Sequence, residues 1–244
     1  MPFLKPDFSK LSTESALVAL GHAFFSLSLG MGIMITYGSY MQKEKSISSA
    51  AFAIGAGDLV YALIAGLIIF PTSFSYHIEP SQGPGLAFIA LPAAFAAMPF
   101  GNLFGGLFFV LLAIAALTSA VSILEVPVAY AMERWSLSRK KATFILSAVC
   151  FVLGIPSALS TGSILGNFKI AGLTIFDAID FAASNIMLPA SGLVVTLFTG
   201  YAWKRAGEEA GLSGTGYKLW MFLLRYISPL LVVVVLLYST GLLS

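Results

Sequence analysis

Phe24-Phe25-Ser26-Leu27-Ser28-Leu29-Gly30-Met31-Gly32 is the stretch on which the reading of this sequence turns. It lies inside an apolar run from about Ala16 to Met41. Two small hydroxyl residues and two glycines sit mid-run, where a plain membrane helix carries leucines. Glycine loosens a helix, and a hydroxyl in hydrocarbon needs a partner. A helix broken at mid-bilayer opens backbone carbonyls and half-helix ends to a cavity, where they can bind ions and polar substrates.

The rest of the chain supports a membrane setting. Of its 244 residues, 58% are hydrophobic and only 10% charged, and the mean hydropathy is +0.93. Such a composition exceeds what a soluble core needs and reads as a multi-pass membrane protein whose environment is the lipid bilayer. Cys150 is the lone cysteine, so no internal disulfide framework exists. The opening residues, Met1 to Lys10, are polar and do not read as a signal peptide.

Working outward, Met1 to Glu14 is a polar entry in which Ser12 or Thr13 can cap a helix. The first span runs from about Ala16 to Met41, and the second from about Ser48 to Phe70, stopping at Pro71. A long connection follows, about Thr72 to Gly101, with its centre from Gly83-Pro84-Gly85 to Met98-Pro99. That centre is apolar but cut by prolines and too short for a ~30 Å bilayer, and reads as a re-entrant or surface helical hairpin covering the bundle. Further spans are expected at about Leu103–Met132, Ala142–Leu159, Leu173–Trp203 and Leu219–Leu242. Six spans put both termini on one side. Lys43, Lys45, Arg134, Arg139, Lys140, Lys141, Lys204, Arg205 and Lys218 fall on the other, against Lys5, Lys10 and Lys169. The positive-inside rule then makes the basic loops cytoplasmic and both termini extracellular or periplasmic.

Several polar residues are candidates for chemistry. Ala115, Thr118, Ser119 and Ser122 recur at helical spacing and share one face. Their hydroxyls and the Ala115 carbonyl can ligate a hard monovalent cation; the alternative is close helix packing with hydroxyls bonded to their own backbone. Asp58, near the middle of the second span, is an intramembrane carboxylate with a cation as its natural partner, or a protonated or water-lined group near an interface. Glu125 lies nearer the cytoplasmic end, where it can reach polar groups. Asp177 reads as a helix N-terminal dipole partner. Glu133 reads as a surface ion-pairing acid, and Tyr37 and Tyr40 as interface aromatics. His22 and His77 are too isolated for a metal site. No hydrolase triad order, phosphate-cradling glycine loop or Cys/His cluster is present, so an enzyme has little support, and no nucleic-acid partner is indicated.

FFSLSLGMGIMITYGSY resembles the sixth helix of the neurotransmitter:sodium symporter family, especially its bacterial amino-acid transporters. The resemblance continues through DLVYALIAGLIIFP, GPGLAFIALPAAFAAMPFG, ALTSAVSILEVPVAYAMERWSLSRKKA, GIPSALS and DFAASNIMLPASG, in unbroken order. It implies an all-α integral membrane protein. Its six transmembrane helices are one five-helix repeat of a LeuT-type inverted-repeat fold plus one extra helix, and the first is unwound at mid-span. The whole chain, 1–244, is then a single transmembrane domain, with the repeat over about 15–205, the extra helix at about 217–243 and a re-entrant extracellular loop at about 80–100.

The resemblance also implies roles. Phe25 matches an aromatic lid over the substrate, and Ser28, Gly30, Met31, Ser119 and Ile123 line the substrate site. Ser26 and Asp58 match ligands of a first sodium ion; Ala115, Thr118 and Ser119 match ligands of a second. Asp180 matches an outer gate acid, and Glu133 and Tyr40 an inner gate network. Asp58 departs from the asparagine usual in the family; its fixed charge can balance sodium, so chloride is not expected to be required. The implied function is sodium-coupled symport of amino acids across the cytoplasmic (inner) membrane; which amino acid is not readable, although Met31 and Ile123 tolerate a sizeable apolar side chain such as that of Leu, Met, Trp or Tyr. The resemblance further implies five preceding helices, an N-terminal half that would supply the remaining ligands. Rival readings are an inactive remnant or membrane interaction subunit, and a homodimer of inverted copies; the strong charge asymmetry of the loops argues against the last.

Overall fold

In the computed structural model the described residues are 11–42, 44–75, 86–162 and 164–242. They form helices and connecting turns; the one β-type pairing among them is an isolated bridge between Ile170 and Leu173. The helices are α1 (Thr13–Ser26), α2 (Ile33–Ser39), α3 (Ile47–Ser75), α4 (Leu86–Ala97), α5 (Gly101–Trp135), α6 (Arg139–Ser160), α7 (Ile175–Ala202), α8 (Ala206–Glu209) and α9 (Gly214–Ser239). Among the described residues five are long and apolar enough to cross a membrane: α3, α5, α6, α7 and α9.

Local chemistry sets several boundaries. Ser12 caps α1 by accepting from the Ser15 N–H at 3.1 Å. Thr174 caps α7 by accepting from the Asp177 N–H at 3.1 Å, while its hydroxyl donates to Asp177 Oδ2 at 2.7 Å. The buried Ser160 hydroxyl, which donates to the Ser157 carbonyl, accepts from the Phe176 N–H at 3.0 Å and so ties the end of α6 to the start of α7.

Two expectations, the end of the second span and the place of the basic run, are corrected here. α3 does not stop at Pro71 but continues to Ser75 with the proline inside it. Proline removes one backbone donor and crowds one carbonyl, and a long apolar helix can absorb that locally. Of the short apolar segment, the described part, Leu86–Ala97, is the helix α4; Gly83-Pro84-Gly85 lies outside the described residues, as do Met1–Lys10, Lys43 and His77. Arg139-Lys140-Lys141 belongs to the first turn of α6 rather than to a loop.

Wide, π-type turns interrupt the helices at Leu86–Ala90, Phe181–Met187, Phe198–Ala202 and Leu223–Ile227. The first, second and fourth lie just before Pro92, Pro189 and Pro229. A proline cannot donate to the carbonyl four residues back, and its ring crowds that carbonyl, so widening the preceding turn relieves both.

The described chain divides into two compact units. One runs over Ala53–Val121. Here Phe95 meets Phe108 at 5.4 Å between ring centroids, Phe88 stacks on Phe109, and an apolar cavity of about 330 Å³ is lined by residues including Tyr61, Leu91, Phe108 and Ala115. The other comprises Ser12–Phe52 and residues from Ser122 onward. In it α9 lies along α7, with Val232 and Val235 buried, and α1 packs on both. Small residues allow the close approach: a side chain at Gly192 would meet the Phe24 ring, and one at Gly21 would touch Val235. Val128 and Ala131 of α5 and Ala142 of α6 form a buried cluster at the joint between those helices.

Candidate substrate and cation site

The break between α1 and α2 has a definite hydrogen-bond structure. Leu29 N–H bonds the Phe24 carbonyl at 2.9 Å and Ser28 N–H bonds the Phe25 carbonyl at 3.0 Å. That pair, with Ser28 left-handed at φ 54°, is a Schellman ending, normally built on glycine. The chain then passes through Gly30 (φ 80°) and Gly32 (φ 78°) before α2 starts. Among the described residues the carbonyls of Leu27, Ser28 and Leu29 accept no backbone hydrogen bond. They are therefore oxygen donors available to a ligand.

The break is seated on α7 just beyond its wide turn. The Ser191 hydroxyl donates to the Gly30 carbonyl at 2.6 Å. A Cβ on Gly30 would run into the Leu188 carbonyl, so only glycine fits. On the other side Gly32 approaches Val126 of α5, and the Thr36 hydroxyl donates to the Gly32 carbonyl at 3.0 Å. α2 is joined to α5 at two further points. Tyr37 donates to Ser122 Oγ at 2.9 Å, and Tyr40 donates to Glu125 Oε1 at 2.7 Å. Arg139 completes this group with a two-pronged contact to Glu125, at 2.8 and 2.9 Å.

Ser26 ends α1, and Ser28, Gly30 and Met31 lie in the break, all partly buried, while the Phe25 ring is exposed. Ala115, Thr118 and Ser119 are exposed on α5, and Thr118 Oγ1 donates to the Ala115 carbonyl at 2.8 Å. Two oxygens on one helix face are thus brought within contact of each other. Ile123 stands one turn further along α5 and is exposed. Asp58 is partly buried on α3; neither it nor Ser26 is without a partner. Asp180 accepts from the Ser184 hydroxyl at 3.1 Å. Glu133 is exposed beside Tyr130 and Arg134 and has no ion-pair partner among the described residues. Tyr40 is joined to Glu125 and, through it, to Arg139.

The sequence profile of the sodium:neurotransmitter symporter family matches residues 1–243. The chain belongs to this family. An uncharacterized sodium-dependent transporter of Bacillus subtilis, YhdH, is 40% identical over 99% of this chain and 54% of its own length. An uncharacterized sodium-dependent transporter of Haemophilus influenzae is 36% identical over 96% of this chain and 52% of its own. Among solved structures, that of MhsT in complex with L-phenylalanine superposes with a TM-score of 0.86 at 46% identity, covering 96% of this chain and 54% of that one. The chain spans about half the length of the curated relatives it matches. It is an all-helical member of a family of membrane transporters, and sodium dependence runs through the names of these relatives.

Proposed function

We propose that this chain forms the second half of a sodium-coupled amino-acid symporter of the cytoplasmic membrane, working with an N-terminal half of five helices. The broken α1/α2 pair counts as the sixth span, so that 1–244 makes one transmembrane domain with both termini outside. The observation that carries the proposal is the open backbone of Leu27–Leu29, held against α7 by the Ser191–Gly30 hydrogen bond. Such an opening supplies carbonyl oxygens to a substrate or cation without a helical donor competing for them.

In this reading Ser28, Gly30 and Met31 contact the amino acid, Phe25 covers it, and Ser119 and Ile123 shape its side-chain pocket. Ala115, Thr118 and Ser119 offer oxygens to one sodium ion; the Thr118 hydroxyl, which now donates to the Ala115 carbonyl, would keep its proton and turn it away so that both oxygens face the ion. Ser26 and Asp58, as further sodium ligands, rest on the resemblance alone, as do the gating roles of Asp180, Glu133 and Tyr40. The carboxylate at 58 makes chloride unnecessary. The neighbour holding L-phenylalanine supports an apolar amino acid as substrate.

The deciding experiment expresses the chain with and without the first five helices of the Bacillus relative and measures uptake of labelled phenylalanine into proteoliposomes. Sodium-driven uptake is expected only when both halves are present. Uptake or sodium-dependent binding by the chain alone would show that no other half is needed. Uptake by neither preparation would favour a remnant or an interaction subunit.

A further inference from the structure

Among the described Lys and Arg residues, Arg225 is the one that lies far from both ends of its helix. It sits well inside α9, in the wide turn Leu223–Ile227. Its Nε donates to the Gly200 carbonyl of α7 at 2.6 Å, and its guanidinium carbon lies 5.5 Å from the centre of the Tyr201 ring. Tyr201 in turn donates from its hydroxyl to the Arg225 carbonyl at 3.2 Å. Pro229, four residues on, has no N–H to give that carbonyl. Gly200 leaves the room required: a Cβ there would stand 3.1 Å from Arg225 Cγ.

The clasp fixes the side chain through its Nε edge. It leaves the other two guanidinium nitrogens at the protein surface, where Arg225 is exposed. Among the described residues no carboxylate comes within ion-pairing distance of them. A charge at the edge of an apolar span is costly unless an anion meets it. Its depth says where that anion comes from. Gly200 is in the last turn of α7, followed directly by Trp203 and then the water-side Lys204 and Arg205. Tyr201, Trp203, Phe222 and Tyr226 are all exposed around this level, which is the composition of a membrane interface. Lys204, Arg205 and Lys218 outnumber Glu208 and Glu209 on the adjoining segment, so an ammonium headgroup is disfavoured and a net negative one favoured.

We propose that the exposed face where α7 and α9 meet at Arg225 holds the phosphate of an anionic phospholipid from the leaflet on the Lys204–Arg205 side. The guanidinium Nη1 and Nη2 donate to the phosphate oxygens, and the exposed aromatic side chains flank the glycerol and upper acyl chains. The site requires only that α7 and α9 span a bilayer; it is independent of what the protein carries.

Native mass spectrometry of the chain released from detergent tests it, with phosphatidylglycerol or phosphatidylcholine added at equal concentration. The wild-type chain is expected to retain phosphatidylglycerol about fivefold or more over phosphatidylcholine. Arg225→Gln should lose that preference, and Arg225→Lys should keep part of it, having the charge but not the fixed fork. Equal retention of the two lipids by the wild-type chain overturns the proposal without reference to any variant. So does full retention of the preference in Arg225→Gln, or its loss in Lys204→Gln/Arg205→Gln alone, which would move the site to the loop. Displacement of the lipid by millimolar inorganic phosphate would make it a site for free phosphate and also overturn it.

Discussion

The Tyr40 hydroxyl and the Glu125 carboxylate, 85 residues apart in sequence, meet at 2.7 Å and lock the end of α2 onto α5. Arg139 holds the same carboxylate from the start of α6, so three helices converge on one acid. Glu125 is the shielded member, 14% exposed against 56% for Arg139. Tyr40→Phe removes one hydrogen bond to a charged acceptor and is expected to cost about 1 kcal/mol. Glu125→Gln removes the charge and should cost somewhat more, the Arg139 contact being partly solvent-screened. Because both act on one group, the double variant should lose less than the sum of the two. Thermal unfolding of the three variants in detergent measures this. Additivity within about 0.3 kcal/mol would mean the three groups do not act together.

The break makes opposite demands at Ser28 and Gly30. Ser28 carries a side chain at a left-handed position, which costs about 1 kcal/mol relative to glycine. Ser28→Gly is therefore expected to raise the melting temperature. In the assembled transporter it should lower uptake if the hydroxyl contacts the substrate, as strain held at a working site would require. A fall in stability would show that the hydroxyl contributes more to folding than its backbone conformation costs.

Gly30→Ala should do the reverse. Its Cβ would enter the Leu188 carbonyl while the residue keeps a positive φ, so a loss of roughly 2 kcal/mol or more is expected. Gly38→Ala, inside α2 with open space around it, is the matched control and should be neutral or stabilising by up to ~1 kcal/mol. Equal effects at the two positions would mean that the break is not held against α7 as described.

How much of this was readable beforehand follows from the range of each interaction. Apolar runs located α3, α5, α6, α7 and α9, because the length and hydropathy of a span are local properties. The wide turns were not readable: Pro92, Pro189 and Pro229 follow one, yet Pro127 and Pro156 sit in ordinary α-helix. In sequence Glu125 is only an acid able to reach polar groups near the helix end. Its pairing with Tyr40 and Arg139 needs the tertiary fold, and no spacing in the chain encodes it. Gly30 and Ser28 were visible as unusual residues for a membrane helix, but their seat on Ser191 and Leu188 was not, for the same reason. Nothing local marks Arg225, because its partners, Gly200 and Tyr201, are on another helix.

Thr118 separates a cation ligand from a packing residue. Its hydroxyl now donates to the Ala115 carbonyl, a bond that threonine in a helix makes with no ligand present. Thr118→Val keeps shape and removes the oxygen; Thr118→Ser keeps the oxygen and removes the methyl. If the hydroxyl ligates sodium, Val should raise the sodium concentration for half-maximal uptake by about tenfold or more, and Ser should stay near wild type. Both variants should melt within ~1 kcal/mol of wild type. A packing role predicts the opposite order, with Val nearly normal and Ser impaired.

Asp58 carries the last expectation. A fixed carboxylate among cation ligands supplies the negative charge that a neutral amide cannot, so coupling should proceed in chloride-free medium. Asp58→Asn keeps the size and one oxygen but removes that charge. In the assembled transporter the variant is expected to bind sodium about tenfold or more weakly without chloride, and to recover in part when chloride is added. The wild-type protein should show the same uptake in chloride and in gluconate. Chloride-dependent uptake by the wild type would show that the charge at position 58 is neutralised or directed elsewhere, and the balance argument would then fail for this site.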